Sequence, residues 1–232
     1  MRLPSDAAWP DLLAALDERG HAVLPGLLDP AECGELAALY EQDEAFRSRV
    51  VMARHNFGSG EYKYLRYPLP VQVTALREAL YPRLAPLANQ WHERLRLAPR
   101  FPPSLAAYLA RCHAEGQRRP TPLILKYEAG DYNCLHQDLY GDLVFPLQAT
   151  ILLSAPGDDF TGGEFLLVET RPRMQSRAEM VALGQGDAVI FAVNQRPVAG
   201  ARGFYRAKMR HGVSRLHSGR RFTLGIIFHD AA

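Results

Sequence analysis

Two histidines and one aspartate, His136, Asp138 and His211, offer the ligand set that holds non-haem Fe(II) on one face and leaves the other face open. A metal that must accept both a co-substrate and dioxygen needs exchangeable positions, which a closed tetrahedral site does not give. Only Gln137 separates His136 from Asp138, so an extended segment projects both from one face of a strand. His211 must then come from a strand distant in sequence and adjacent in space.

Arg221 stands ten residues after His211, and Thr223 occupies the next position on the same face. Turn chemistry in Leu216-His217-Ser218-Gly219 predicts a hairpin, with the strand of His211 followed by a strand bearing Arg221. A guanidinium one strand from the metal is the preferred bidentate partner of a carboxylate, and a threonine hydroxyl adds a further donor. Arg221 also abuts an apolar run, 222–228, where an unpaired charge is expensive. Arg221 and Thr223 are therefore the expected anchor for the distal carboxylate of 2-oxoglutarate.

Residues 123–230 resemble the catalytic core of the Fe(II)/2-oxoglutarate-dependent dioxygenases. Tyr127, Gly130, Tyr132, His136 and Asp138 match the YxxGxY and HxD spacing of the prolyl 4-hydroxylase branch. Gly162-Gly163-Glu164 matches a Gly-Gly-Glu segment, Gly186-Asp187 with Phe191 matches a Gly-Asp-x-x-x-Phe strand entry, and Arg221-Phe222-Thr223 closes the pattern. The resemblance implies a double-stranded β-helix, Fe(II), 2-oxoglutarate as co-substrate and O2. It also implies oxidative decarboxylation to succinate coupled to C–H hydroxylation, and a 2-oxoglutarate-binding role for Tyr127. The stretch HQDLYGDLVFPLQ resembles a bacterial oxygenase family predicted to demethylate damaged nucleic-acid bases. Arg215 and Arg221 have the Arg-x5-Arg spacing known in base demethylases but lie closer to the last histidine than in those enzymes. Hydroxylation of a peptidyl or free amino acid, in the manner of a prolyl hydroxylase, is the alternative. A non-catalytic cupin-like binding module is another, although its signature, a replaced triad member, is absent. Nothing matches HExxH or a cysteine cluster, as a zinc hydrolase would require.

At 232 residues, 47% hydrophobic and 22% charged, the chain can bury a proper core. The expected class is α+β with a mainly β core: a jelly roll with N-terminal and flanking helices. Residues 1–122 are expected to form a helical and hairpin region packed on a catalytic core at 123–232, the whole being one structural domain. The segment 115–122, EGQRRPTP, marks the change of periodicity. Three cysteines without a CxxC argue for a reducing compartment. No apolar run suits a signal peptide or a membrane span, so a cytoplasmic location without membrane association is expected.

The elements that must position the site follow from periodicity. Trp9, Leu12, Leu13 and Leu16 recur at helical spacing and Gly20 ends the run; Asp29 and Pro30 open a second helix to about residue 40. Two strands are expected around 56–60, then a helical block over 71–97 bent or broken near Pro82 and Pro86, and a helix over 104–114. Strands are expected at 123–127, 147–154, 164–170, 180–183, 188–193, 208–214 and 221–229. On the second of these, Gln148, Thr150 and Leu152 share a face, with Thr150 expected to look into the pocket. Loops at a rigid site carry specificity, so Tyr140 and Phe145 of loop 139–146, and Arg196 and Tyr205 of loop 194–207, are the expected substrate contacts. Tyr64, in the aromatic and basic strand EYKYLRY, is another. Between Arg196 and Arg221 stand eight basic residues and no acid, which favours an anionic substrate such as nucleic acid.

Overall fold

The apolar runs beyond residue 120 pair with strands from the first half of the chain, giving two antiparallel sheets in the computed structural model, which describes residues 1–98 and 100–232. In chain order the strands are β1 (His21–Leu24), β2 (Phe46–Val51), β3 (Gly58–Ser59), β4 (Glu61–Leu65), β5 (Leu123–Glu128), β6 (Tyr132–His136) and β7 (Leu147–Leu152). They continue as β8 (Phe160–Gly162), β9 (Phe165–Thr170), β10 (Arg177–Val181), β11 (Ala188–Ala192), β12 (Gln195–Gly200), β13 (Gly203–Val213) and β14 (Leu216–Ile226). The large sheet runs β1-β11-β7-β14-β5-β4-β2 with β8 beside β14; the small sheet runs β10-β9-β13-β6-β3 with β12 beside β13. Strands from residues 1–122 thus extend both sheets.

Four α-helices, α1 (Trp9–Arg19), α2 (Pro30–Ala38), α3 (Val71–Arg94) and α4 (Leu105–Ala114), accompany the sheets. Gly20 ends α1 in the left-handed region (φ 82°) and returns its N–H to the Leu16 carbonyl. Asp29 and Glu32 form a reciprocal capping box on α2. Buried residues of α2, α3 and α4, among them Leu36, Leu80, Tyr81, Trp91 and Tyr108, join Ile124, Ile151, Ile190, Leu224 and Phe228 in the main core. The strongly apolar large sheet is thereby covered on that face.

Four expectations are corrected. First, α3 is continuous: Pro82 and Pro86 lie four apart on its exposed side, so the carbonyls they fail to bond face water and the buried side holds the helix together. Second, 194–207 is not a loop but the β12–β13 hairpin, with Gln195 paired to Lys208 and Gly200 to Gly203. Third, His211 and Arg221 are not on neighbouring strands of one hairpin. The chain crosses from the small to the large sheet at Ser214 and Arg215, so the two residues stand on opposite sheets. Gly219 had suggested a turn; instead β14 runs through it beside β8, where a Cβ would strike the Asp159 carbonyl. Fourth, the strand expected at 180–183 begins at Arg177 and ends at Val181, paired along β9.

Candidate metal centre

The local cause of the metal cluster is strand register. On the antiparallel pair β6 and β13, His136 and His211 are direct Cα partners. Partners project from the same face, and the imidazole centroids lie 4.2 Å apart. Asp138, just past the end of β6, brings Oδ1 to 3.5 Å from His136 Nε2 and Oδ2 to 3.3 Å from His211 Nε2. The three ligand atoms all lie within 4.8 Å of one another. His136 Nδ1 is 2.8 Å from the Cys134 carbonyl; donating there leaves the Nε2 lone pair directed at the cluster.

Two further side chains orient the carboxylate. Tyr140 donates its hydroxyl to Asp138 Oδ1 at 2.7 Å, and Gln148 Nε2 donates to Oδ2 at 2.8 Å. Burial alone would raise the Asp138 carboxyl, but the facing imidazoles of His136 and His211 hold it well below the usual range. Burial pushes the His211 imidazole down, with the His136 charge adding to it. At His136 burial acts the same way, yet the Asp138 carboxylate outweighs it and raises the imidazole. An anionic carboxylate and two imidazole nitrogens converging on one point suit a divalent cation.

Arg221 comes from the opposite sheet, where it is the Cα partner of Tyr127 across β14 and β5. Its guanidinium carbon lies 5.7 Å from the Tyr127 ring centroid and 5.8 Å from that of Phe160. The side chain is 1% exposed, and its Nε and Nη1 have no hydrogen-bond partner. Burial pushes the guanidinium down to about 10, leaving it cationic at neutral pH. A cavity of about 190 Å³ joins these parts, lined by the three candidate ligands together with Tyr127, Arg221 and Thr223. A buried cation with two nitrogens lacking hydrogen-bond partners costs several kcal/mol. A carboxylate entering the cavity would relieve that cost, so these residues fit the distal end of 2-oxoglutarate.

The expected substrate contacts divide. Tyr140 lines the cavity. Tyr64 is buried behind it, edge-on to Tyr140 at 6.1 Å and to Tyr62 at 5.3 Å, and so supports the wall without forming it. Phe145 is fully buried among Tyr81, Phe101, Tyr108 and Phe228, a core ring and not a loop contact. Arg196 is turned inward on β12 and ion-paired with Glu169, while its Nη1 donates to the Asp17 carbonyl. Tyr205 is half-buried on β13 and is not among the residues lining the cavity. Both buried residues lie in segments whose sequence predicts flanking loops, yet one packs against distant aromatics and the other finds an acid 27 positions away.

Gln148 was legible only as a strand residue, sharing a face with Thr150, which also lines the cavity. An amide in a strand that is buried at every position must find a polar partner, and that was the available signal. Phe57 and Asn133 also line the cavity without any local motif to announce them, as does Tyr62 of the aromatic strand EYKYLRY.

A family model described as an oxygenase catalysing oxidative methylation of damaged DNA matches residues 60–231. Two proteins from separate strains of Mycobacterium tuberculosis, both described as uncharacterized, are 52% identical over 165 residues, 71% of this chain and 71% of theirs. Among solved structures, a Pseudomonas putida prolyl-4-hydroxylase superposes with a TM-score of 0.56 at 14% identity, covering 94% of this chain and 96% of that one. The alpha-ketoglutarate-dependent epimerase SnoN of nogalamycin biosynthesis gives 0.57 at 20%, covering 95% and 82%. An oxidoreductase of the 2OG-Fe(II) oxygenase family from Burkholderia pseudomallei gives 0.51 at 16%, covering 100% and 96%. At these identities the likeness is one of fold, the jelly roll that the strand pattern anticipates.

Proposed function

The chain belongs to the family of oxygenases described as catalysing oxidative methylation of damaged DNA, and we propose that it is an Fe(II)/2-oxoglutarate-dependent dioxygenase acting on a methylated base in nucleic acid. Bound at His136, Asp138 and His211, Fe(II) supplies the redox chemistry that couples 2-oxoglutarate decarboxylation to hydroxylation of a C–H bond. One atom of O2 goes to succinate and the other to the substrate carbon, with CO2 released. At an N-methyl group the product is a hydroxymethyl amine, which gives up formaldehyde and leaves N–H.

The observation that carries this reading is Arg221, a buried cation with two unpaired nitrogens in the wall of the same cavity as the triad. Arg221 and Thr223 receive the far carboxylate of the co-substrate, and Tyr127 packs beside the guanidinium to fix its plane. Tyr140 and Gln148 hold the Asp138 carboxylate in its binding orientation. The apolar remainder of the lining, including Leu123, Leu125, Phe165 and Ile227, keeps bulk water from the reacting carbon.

The test is purified protein with Fe(II), ascorbate and 2-oxoglutarate, offered a single-stranded oligonucleotide bearing an N-methylated base and, separately, a proline-rich peptide. Formaldehyde equal to succinate on the oligonucleotide is expected, with both abolished in His136→Ala. Coupled turnover on the peptide alone would overturn the substrate, and turnover surviving His136→Ala would overturn the metal site.

A further inference from the structure

A row of cations on the small sheet plays no part in the site described above. On β13, Ala207, Met209 and His211 are buried, whereas Arg206, Lys208 and Arg210 are exposed. Neighbours in that row are two residues apart, roughly 7 Å along a strand. Among the described residues the side chains of these three take part in no ion pair or hydrogen bond. Their cross-strand partners, Pro197 and Gln195 on β12 and Thr170 and Val168 on β9, include no acid. The nearby acid of β9, Glu169, is buried and already held by Arg196 and Arg171. Three like charges kept side by side without a counter-charge form a positive stripe that attracts an external anion.

The row lies on the outer side of the small sheet, opposite to His211 and the cavity it lines, and β3 is the edge around which a strand on that side reaches the cavity. β6 is the neighbour of β13 and β3 lies beyond it, two strand spacings or roughly 10 Å away. Immediately before β3, Phe57 is 47% exposed, lines the cavity and stacks on His55 with centroids 5.3 Å apart at 23°. Its carbonyl accepts from the Cys134 N–H of β6 at 2.9 Å, which ties this aromatic pair to the edge of the sheet. A line of free cations beside a flat, exposed aromatic surface is what binds single-stranded nucleic acid: phosphates on the cations, a base on the ring.

Building on the proposed reaction, we infer that the exposed side of β13 is a phosphate track for a single nucleic-acid strand, and that Phe57 with His55 stacks the base admitted to the cavity. A purely acidic peptide would satisfy Arg206, Lys208 and Arg210 but would leave the aromatic pair without a partner.

The experiment is anisotropy titration of the full chain with a labelled, unmethylated single-stranded oligodeoxynucleotide across a salt series. Affinity should fall with salt, and R206Q/K208Q/R210Q should reduce the log–log slope by about 2, as expected for three lost phosphate contacts on a single strand. Phe57→Ala should weaken binding by about tenfold with the slope unchanged. Thermal melting confirms that each variant is folded, and Lys208→Arg should retain the slope. An unchanged slope in the triple variant, no binding by the wild type, or equal competition by polyglutamate would overturn the track. Formaldehyde release from an N-methylated mononucleotide, too short to reach β13, reports on the proposed reaction alone. Turnover of the mononucleotide with an unaltered slope would therefore remove only the track; an altered slope without any formaldehyde would remove only the reaction.

Discussion

Arg221 and Tyr127 are paired across neighbouring strands of the large sheet, with the guanidinium carbon 5.7 Å from the ring centroid. The ring supports the charge from one side but provides no hydrogen-bond acceptor for Nε or Nη1. The protein carries this charge at a cost that is recovered only when an anion binds.

Replacing Arg221 therefore has opposite effects on stability and on co-substrate use. Arg221→Met should stabilise the ligand-free protein by about 1–4 kcal/mol in urea unfolding, since an uncompensated buried charge is removed. The same variant should raise KM for 2-oxoglutarate by about 100-fold, the value of one or two charge-assisted hydrogen bonds. Added 2-oxoglutarate should raise the melting temperature of the wild type and leave that of the variant unmoved. A variant less stable without ligand would show that Arg221 has an internal partner.

The two donors to Asp138 give a second expectation. Tyr140→Phe or Gln148→Leu should each weaken Fe(II) or Co(II) binding by about 10–100-fold with little change in fold, because the carboxylate loses its fixed orientation. Isothermal titration with the metal measures this directly, and unchanged affinity in both variants would remove their positioning role.

His229 governs part of the acid stability. It is fully buried, its Nδ1 accepts from the Phe145 N–H at 3.3 Å and its Nε2 has no partner. Burial pushes the imidazole down to about 4; the carboxylates of Asp138 and Asp230 oppose this shift and Arg77 adds to it. The folded state keeps His229 neutral, so the unfolded chain binds the proton first as pH falls. The contribution is complete above the ordinary histidine value of 6.5 and is lost as pH falls from there to about 4. The loss should be about 3 kcal/mol. His229→Gln should flatten the urea-midpoint profile over that window; a profile identical to the wild type would show the histidine to be silent.

Phe145 and Arg196 should behave as structural residues. Phe145→Ala should cost about 3–5 kcal/mol through the cavity left among four aromatic rings. Arg196→Met should cost less, about 1–3 kcal/mol, because the buried Glu169 loses the hydrogen bonds from Arg196 but keeps Arg171. Below their melting points both should keep the wild-type KM for the nucleic-acid substrate, and a KM change at full folding would return them to the binding surface.

What could be read from the chain was whatever depends on short spacing. Helix ends at Gly20 and Asp29 follow from local backbone chemistry, and the strands after residue 122 follow from apolar runs between turn residues. His136 and Asp138 are close in sequence and remain close in space, so their partnership needed no knowledge of the fold beyond an extended backbone. Even the cost of burying Arg221 was visible in the apolar residues that follow it. Inference failed where a side chain's partner lay far along the chain. Arg196 looks like a solvated loop cation until β12 and β13 pair and turn it onto Glu169, and Phe145 looks like a mouth residue until α3 and α4 close over it.

The sequence by itself determined the types of side chain available for the chemistry, and with them the class of metal and of co-substrate. Only the tertiary structure decided that His211 reaches His136 through strand register, that Arg221 approaches from the opposite sheet, and that Tyr140 and Gln148 hold Asp138 between them. The division has a physical cause: propensity and spacing act over a few residues, whereas register and burial are set by packing two sheets together, and no short stretch of chain contains that information.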